Sequence, residues 1–182
     1  LKTVARSMPT SGAVDRVAKK KNFSCWEVPT GWKYFGNLMD SGVHGTAFEG
    51  KETYTPLICG EESFGTGSDH AREKDSLWAI LAWLQILAAK NVGTEKLVTV
   101  QDICEQHWQT YGRNYYSRYD YEGVDKPKAE EMMKQMSELK DSTGKNCIGE
   151  TYNGFKIKNM DVFNYTDPVD SAVAKNQGIR IY

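Results

Sequence analysis

The segment from Cys59 to His70 carries the residue types in this sequence that are best suited to ligand chemistry. It is punctuated by glycines and contains two carboxylates and several hydroxyls. A short apolar run precedes it at residues 56–59, and a strongly apolar helical pattern follows at residues 77–88. In α/β enzymes, the loop at the carboxyl end of a strand builds the ligand site. Carboxylates and hydroxyls suit a neutral polyol such as a sugar, because its O–H groups need both acceptors and donors.

A second loop, Thr30-Gly31, follows a predicted strand at residues 23–28. In a parallel sheet, this loop and the Glu61-Glu62-Ser63 loop emerge at the same edge and can face one ligand. The alternative is two ordinary turns between strands and helices, where glycine and serine are common for backbone reasons. The spacing alone leaves both interpretations open.

Two cations lie near the start of the helix predicted after this segment. Arg72 and Lys74 both oppose the helix dipole there, and such an unfavourable position indicates a function such as holding a phosphate or moving a proton. The alternative is that Lys74 is a solvated side chain beside Glu73 and Asp75.

Several classes of function and site are disfavoured. Residues 65–67 lack the third glycine of a dinucleotide fingerprint, and residues 60–65 lack the lysine of a phosphate-binding P-loop. A net charge of -1 gives no reason to expect a nucleic acid or a membrane as partner. The most apolar stretch, residues 77–89, is interrupted and too short to cross a bilayer. The three histidines do not have the spacing of a metal site.

The four cysteines lie far apart, and none forms a Cys-x-x-Cys pair. This spacing disfavours a zinc site and a dense disulfide framework, so a reduced, cytosolic compartment is the simpler expectation.

The order of elements predicts an α/β domain followed by an α+β region. Strands at residues 3–5, 23–28 and 56–59 alternate with helices at residues 13–18 and 32–39, which indicates a parallel sheet. The helix over residues 77–88 is apolar on most sides and is predicted to be largely buried. Further predictions are an N-cap at Thr10 or Ser11, an exposed mobile loop at 41–55, a capping box at Thr99 and Asp102, an aromatic interdomain strand at 113–121, a helix opened by Pro127 and a hairpin at 152–155.

Five ordered motifs resemble those of the phosphohexomutase superfamily, in particular of the eukaryotic α-D-phosphoglucomutases, over nearly the whole chain. They are ARSMPTS at residues 5–11, VPTGWKYFGNLMD at 28–40, CGEESFG at 59–65, GSDHAREKD at 67–75 and YGRN at 111–114.

The resemblance implies a four-domain isomerase that interconverts glucose 1-phosphate and glucose 6-phosphate. A phosphoserine donates its phosphoryl group, Mg²⁺ polarises that group, and glucose 1,6-bisphosphate is the intermediate. Residues 1–115 resemble most of the third domain, a three-layer α/β/α domain with a mixed, mostly parallel sheet. Residues 116–182 resemble the start of the α+β, phosphate-binding fourth domain. The phosphoserine loop, the Mg²⁺ ligands and the C-terminal phosphate loop are expected in the remaining domains of the same polypeptide, so the isolated chain is expected to be inactive.

By resemblance, the sugar phosphate contacts Thr30, Gly31, Glu61, Ser63 and Lys74. Glu61 and Ser63 would bond ring hydroxyls. Because both residues sit in a loop, we expect them to face a ligand without a cost of burial. Lys74 would be the catalytic residue, lying near the transferring group and assisting proton transfer.

A second hypothesis concerns the loop at residues 41–55, which is longer than in the vertebrate enzyme of this family. It resembles the insertions of ciliate parafusins, phosphoglucomutase relatives that are linked to exocytosis. The alternative function is therefore a phosphoglucomutase-like scaffold with little catalysis. The intact sugar-loop residues favour the enzyme.

Overall fold

The computed structural model describes residues 3–42, 53–139 and 147–182. They divide into two compact units. The first unit comprises Leu1–Tyr116 together with Asp167–Ser171, and the second comprises Ser117–Thr166 and Ala172–Tyr182.

The first unit is built on a four-stranded sheet with the order β2-β1-β3-β4. Its strands are β1 (Thr3–Ser7), β2 (Ser24–Val28), β3 (Ile58–Gly60) and β4 (Thr66–Gly67). β1 is parallel to both β2 and β3, and β4 is antiparallel to β3. The prediction of a mixed, mostly parallel sheet is thus confirmed. Since β1, β2 and β3 run in the same direction, the loops that follow them leave from one edge of the sheet.

The core of this unit lies where helix α2 (Trp32–Asp40) packs against the sheet. Phe35, Leu38 and Met39 of α2 and Val28 of β2 are almost completely buried. The helix predicted at residues 32–39 is confirmed.

Helix α1 (Ala13–Lys21) connects β1 to β2. Its N-cap is Gly12 rather than Thr10 or Ser11, although the Ser11 hydroxyl accepts a hydrogen bond from the N–H of Ala13 at 3.3 Å.

Helix α3 (Ser76–Asn91) follows β4, and the prediction that it is largely buried is wrong. None of its residues is buried, and the Leu77 side chain is 71% exposed. Apolar residues lie on all sides of this helix. Among the described residues, however, β4 is the main element that packs against it. The sequence period shows that a helix is apolar but not which of its faces a neighbour covers. No helix among the described residues has the length and hydropathy needed to span a membrane.

Helix α4 (Val100–Tyr111) begins with the predicted capping box, which is confirmed. The Thr99 hydroxyl accepts a hydrogen bond from the N–H of Asp102 at 3.2 Å, and the Asp102 carboxylate accepts one from the N–H of Thr99 at 2.8 Å. At the other end, Lys20 of α1 donates to the carbonyl of Thr110 at 3.0 Å. Cations are favourable at a helix C-terminus, so this contact joins α1 to α4.

The aromatic segment at residues 113–121 was predicted to be a strand, and that prediction is wrong. The described chain between α4 and Lys126 forms neither helix nor strand. Four tyrosines in this segment are strongly exposed: Tyr115, Tyr116, Tyr119 and Tyr121. A strand needs a neighbouring edge for its hydrogen bonds, and no described strand pairs with this segment.

The second unit contains helix α5 (Lys126–Glu138) and short antiparallel strand pairs. Pro127 lies in the first turn of α5, as predicted. The predicted hairpin is also confirmed: its turn residues Asn153 and Gly154 have φ values of 48° and 83°. The pairs are β5 (Thr151–Tyr152) with β6 (Phe155–Lys156), β7 (Met160–Val162) with β10 (Ile179–Ile181), and β8 (Tyr165–Thr166) with β9 (Val173–Ala174).

The predicted mobile loop at residues 41–55 lies mostly outside the described residues, which omit positions 43–52. Its two ends are held together in the first unit. The Ser41 hydroxyl donates to the carbonyl of Leu38 at 2.6 Å and accepts from the N–H of Tyr54 at 2.6 Å. The Thr3 hydroxyl donates to the carbonyl of Thr55 at 2.6 Å.

Candidate functional site

Three of the predicted site residues meet at the carboxyl edge of the sheet. The Glu61 carboxylate follows β3 and accepts a hydrogen bond from the N–H of Gly31, which follows β2, with a distance of 3.2 Å to Oε1. Its other oxygen, Oε2, lies 3.2 Å from Nζ of Lys74. One carboxylate therefore joins the loop after β2, the loop after β3 and the segment that leads into α3.

The turn after β3 explains how Glu61 comes to be buried. The N–H of Glu61 donates to the carbonyl of Gly65 at 2.8 Å, and the N–H of Phe64 donates to the carbonyl of Glu61 at 3.2 Å. The Glu61 side chain is only 4% exposed. The expectation that a loop position spares Glu61 the cost of burial is wrong. A buried carboxylate needs partners, and the N–H of Gly31 and the ammonium of Lys74 provide them.

Gly31 is the N-cap of α2, with φ 129° and ψ 128°. This conformation is one that L side chains rarely adopt, which explains a glycine at this position. No side chain of the N-cap residue makes a capping hydrogen bond at this end. The N–H of Gly31 instead donates to the Glu61 carboxylate.

Thr30 and Ser63 lie at the same edge but do not join this cluster. Both residues are exposed. Within the described parts of the chain, neither hydroxyl has a hydrogen-bond partner. Each is therefore able both to donate to a ligand and to accept from it.

Lys74 immediately precedes the cap of α3. Its side chain is 50% exposed, and its Nζ lies 5.9 Å from the centre of the Trp32 ring. The carboxylate of Glu61 thus offsets the unfavourable interaction predicted between this cation and the helix dipole.

Asp75 fixes the backbone next to Lys74. Its carboxylate accepts hydrogen bonds from the N–H groups of Leu77 and Trp78 and lies 3.0 Å from Nε2 of His70. The hydrogen bond with His70, followed by the backbone bonds, lowers the pKa of Asp75. The ring of His70 also stacks on the ring of Trp78, with centroids 5.9 Å apart.

Ser7 and Glu62 form a further polar contact at this edge, which no motif in the sequence singled out. The Ser7 hydroxyl donates to Oε2 of Glu62 at 2.9 Å and lies 2.6 Å from the hydroxyl of Thr10. The signal was present in the order of the strands: β1 is central, so its last residue lies between the two predicted loops.

Arg6 supports this edge from within the sheet. Its Nε and Nη2 lie 2.6 and 2.7 Å from the two carboxylate oxygens of Asp15, and Nη2 also lies 2.8 Å from Glu27. The hydrogen bonds that Arg6 donates to Asp15 raise the pKa of Arg6 and lower the pKa of Asp15. These bonds tie the end of β1 to α1 and β2.

The described residues contain no group of three His, Cys, Asp or Glu side chains that is arranged to hold a metal ion. They therefore do not fit a Mg²⁺ ion, whose ligands the resemblance places elsewhere in the polypeptide. Cys59, at the centre of β3, is fully buried, and burial raises its pKa to about 12. A neutral thiol is a poor nucleophile, so Cys59 is a core residue.

Comparison with protein families gives two adjoining matches. The description "Phosphoglucomutase/phosphomannomutase, alpha/beta/alpha domain III" matches residues 1–111, and "Phosphoglucomutase-1, C-terminal domain" matches residues 113–182. The chain belongs to the phosphoglucomutase/phosphomannomutase family. The α/β/α fold of the first unit agrees with the first of these descriptions.

Relatives that are named phosphoglucomutases match nearly the whole chain. A probable cytoplasmic phosphoglucomutase 1 from Arabidopsis thaliana is 53% identical over 99% of this chain and 30% of its own length. A cytoplasmic phosphoglucomutase from Mesembryanthemum crystallinum is 55% identical, and phosphoglucomutase-1 from Dictyostelium discoideum is 51% identical. The chain spans about 30% of the length of these relatives.

A solved structure gives the same result. The open form of the exocytosis-sensitive phosphoprotein parafusin, a phosphoglucomutase from Paramecium, is 50% identical to the chain with a TM-score of 0.81. The match covers 99% of this chain and 28% of parafusin.

Proposed function

We propose that this chain is the sugar-binding part of a cytoplasmic phosphoglucomutase. The whole enzyme interconverts glucose 1-phosphate and glucose 6-phosphate through a phosphoserine and glucose 1,6-bisphosphate. The observation that carries the proposal is the bridge from the Glu61 carboxylate to the N–H of Gly31 and the Nζ of Lys74. Residues 1–115 form the sugar-binding domain, and residues 116–182 begin the C-terminal domain. Mg²⁺ is the expected cofactor of the whole enzyme, with its ligands elsewhere in the polypeptide.

The edge of the sheet offers the groups that a sugar needs. The exposed hydroxyls of Thr30 and Ser63 donate to sugar hydroxyls and accept from them. Among the described residues, each oxygen of Glu61 has one partner, and a carboxylate has lone pairs for more than two hydrogen bonds. Because Gly31 has no side chain, its backbone leaves room for a sugar to approach.

Lys74 supplies the cation. One of its N–H groups is directed to Glu61, and half of its side chain is exposed, which leaves donors for a phosphate oxygen. A sugar hydroxyl that attacks the phosphorus of the phosphoserine loses its proton as the new P–O bond forms and the P–O bond to the serine oxygen breaks. We assign to Lys74 a role in assisting that proton transfer.

The test compares two substitutions in the full-length protein, Lys74→Arg and Lys74→Ala. Arginine keeps the charge but does not exchange a proton near neutrality, so a proton-transfer role predicts that Arg fails about as badly as Ala. A role in holding phosphate alone predicts that Arg retains much of the activity. Near wild-type turnover by both variants would contradict both the proton-transfer role and the phosphate-holding role. The exposed Lys128, replaced by Ala, is the matched control.

A second candidate function follows from the likeness to parafusin, which is described as an exocytosis-sensitive phosphoprotein. In that case the full-length protein would be a scaffold with little catalysis. The discriminating measurement is the glucose 1-phosphate to glucose 6-phosphate turnover of the full-length wild type, with circular dichroism to show that it is folded. Turnover supports the enzyme, and a folded protein without turnover supports the scaffold.

A further inference from the structure

Gly65 occupies a position in which a side chain has no room. It closes the turn after β3 by accepting a hydrogen bond from the N–H of Glu61 at 2.8 Å. Its φ does not lie in the left-handed region, so the backbone conformation does not itself require glycine. The reason for glycine must therefore be the space beside its Cα.

The side chains of the proposed site fill that space. A Cβ at Gly65 would lie 2.8 Å from Cδ of Lys74 and 3.2 Å from Oε2 of Glu61. The first distance is shorter than real Cβ contacts, and the second is tighter than most of them. The aliphatic part of Lys74 thus packs across the bare Cα of Gly65, and the carboxylate that it pairs with lies on the same side.

The backbone of Lys74 is held, so it cannot move away from a larger residue. The N–H of the next residue, Asp75, donates to the carbonyl of Thr66 at 2.9 Å. The Asp75 side chain also caps α3. Relief of a clash at position 65 must then come from the side-chain torsions of Lys74, and these torsions set where Nζ lies.

We propose that Gly65 is a positioning residue that keeps the amine of Lys74 against the carboxylate of Glu61. This inference rests on the proposed function, in which Lys74 acts on the sugar phosphate. A methyl group at position 65 displaces the lysine chain and separates Nζ from Oε2 of Glu61. The substrate then meets a cation in the wrong place, although both charged residues are still present.

The test is a double-mutant cycle in the full-length protein. We expect Gly65→Ala to lower kcat/KM by about tenfold to a hundredfold, as misplacement of a catalytic group by about 1 Å does. In the Lys74→Ala background, the same substitution should change kcat/KM by less than about twofold, because the group that it displaces is gone. A near wild-type Gly65→Ala variant, or an equal loss in both backgrounds, would overturn the proposal.

A second readout needs no activity. Peptide mass spectrometry gives the ratio of the acylation rate of Lys74 to that of the exposed Lys128 in the same sample. This ratio reports how firmly the Lys74 amine is held against Glu61. Gly65→Ala should raise this ratio in the folded protein. Gly60→Ala should not, because a Cβ at Gly60 meets no heavy atom within 4 Å. An unchanged ratio in Gly65→Ala would also overturn the proposal. If Gly65→Ala raises the ratio but the full-length wild type has no mutase activity, the positioning of Lys74 by Gly65 is supported and the proposed function fails.

Discussion

Replacement of Glu61 by glutamine should separate catalysis from stability. The amide keeps the shape of the carboxylate, and its oxygen can still accept from the N–H of Gly31. Its NH₂ group instead faces the Lys74 ammonium, and the ion pair at 3.2 Å is lost. Because Lys74 is half exposed, solvent screens this pair, and we expect a loss of about 1 kcal/mol of unfolding free energy. The melting temperature of the full-length protein should fall by less than about 4 °C, because the shift per kcal/mol decreases with protein size.

The loss of activity should be considerably larger. If the hydrogen bonds of Glu61 to the sugar tighten in the transition state, Glu61→Gln should cost about 2–4 kcal/mol of transition-state stabilisation. This energy corresponds to a decrease in kcat/KM of about 30-fold to 1,000-fold.

The assay is turnover of glucose 1-phosphate by the full-length protein, coupled to oxidation of glucose 6-phosphate, with thermal unfolding measured on the same samples. Glu95→Gln, at an exposed position between α3 and α4, is the matched control and should leave both quantities unchanged. Two results would refute the reasoning: activity of Glu61→Gln within about threefold of wild type, or inactivity explained by unfolding at the assay temperature.

Three further predictions concern the fold around the site. Phe35→Ala should destabilise the chain by about 3–5 kcal/mol, because Phe35 is fully buried and meets the Trp32 ring edge to face, and a urea titration that shows less than about 1 kcal/mol would contradict this packing. Thr99→Ala should cost about 1 kcal/mol in the same titration, since it removes one half of the capping box. Native Cys59 should resist alkylation from pH 7 to 9, because with a pKa of about 12 only about one thiol in a thousand is ionised at pH 9, and rapid labelling before unfolding would show that it is accessible.

The strands and short helices of the first unit were predictable because their signals are local. An apolar run that ends at a polar, glycine-rich turn defines β3, and the pairing of Thr99 with Asp102 marks the start of α4. The burial of α3 was not predictable, because its Leu and Trp residues show only that the helix is apolar. Whether it is covered depends on neighbours, and the described chain places few there. The prediction of a strand after Arg113 failed for a related reason, because a strand requires the edge of another strand as its partner.

At the candidate site, parallel strand order was enough to predict that the loops carrying Gly31 and Glu61 lie at one edge. It did not reveal that Glu61 turns inward and pairs with Lys74, because the direction of a side chain depends on the turn that follows it. The space beside Gly65 was equally hidden, since nothing in the local sequence records what packs across a Cα.

The most direct test of the sugar-binding edge is hydrogen–deuterium exchange of the full-length protein with and without glucose 1,6-bisphosphate. The account predicts slower exchange in peptides covering residues 29–35 and 61–75, which carry Gly31, Ser63 and Lys74. Peptides covering residues 94–106, between α3 and α4, should exchange at the same rate in both states. Protection that is absent from both loops, or confined to other parts of the chain, would contradict the assignment of the sugar site to this edge.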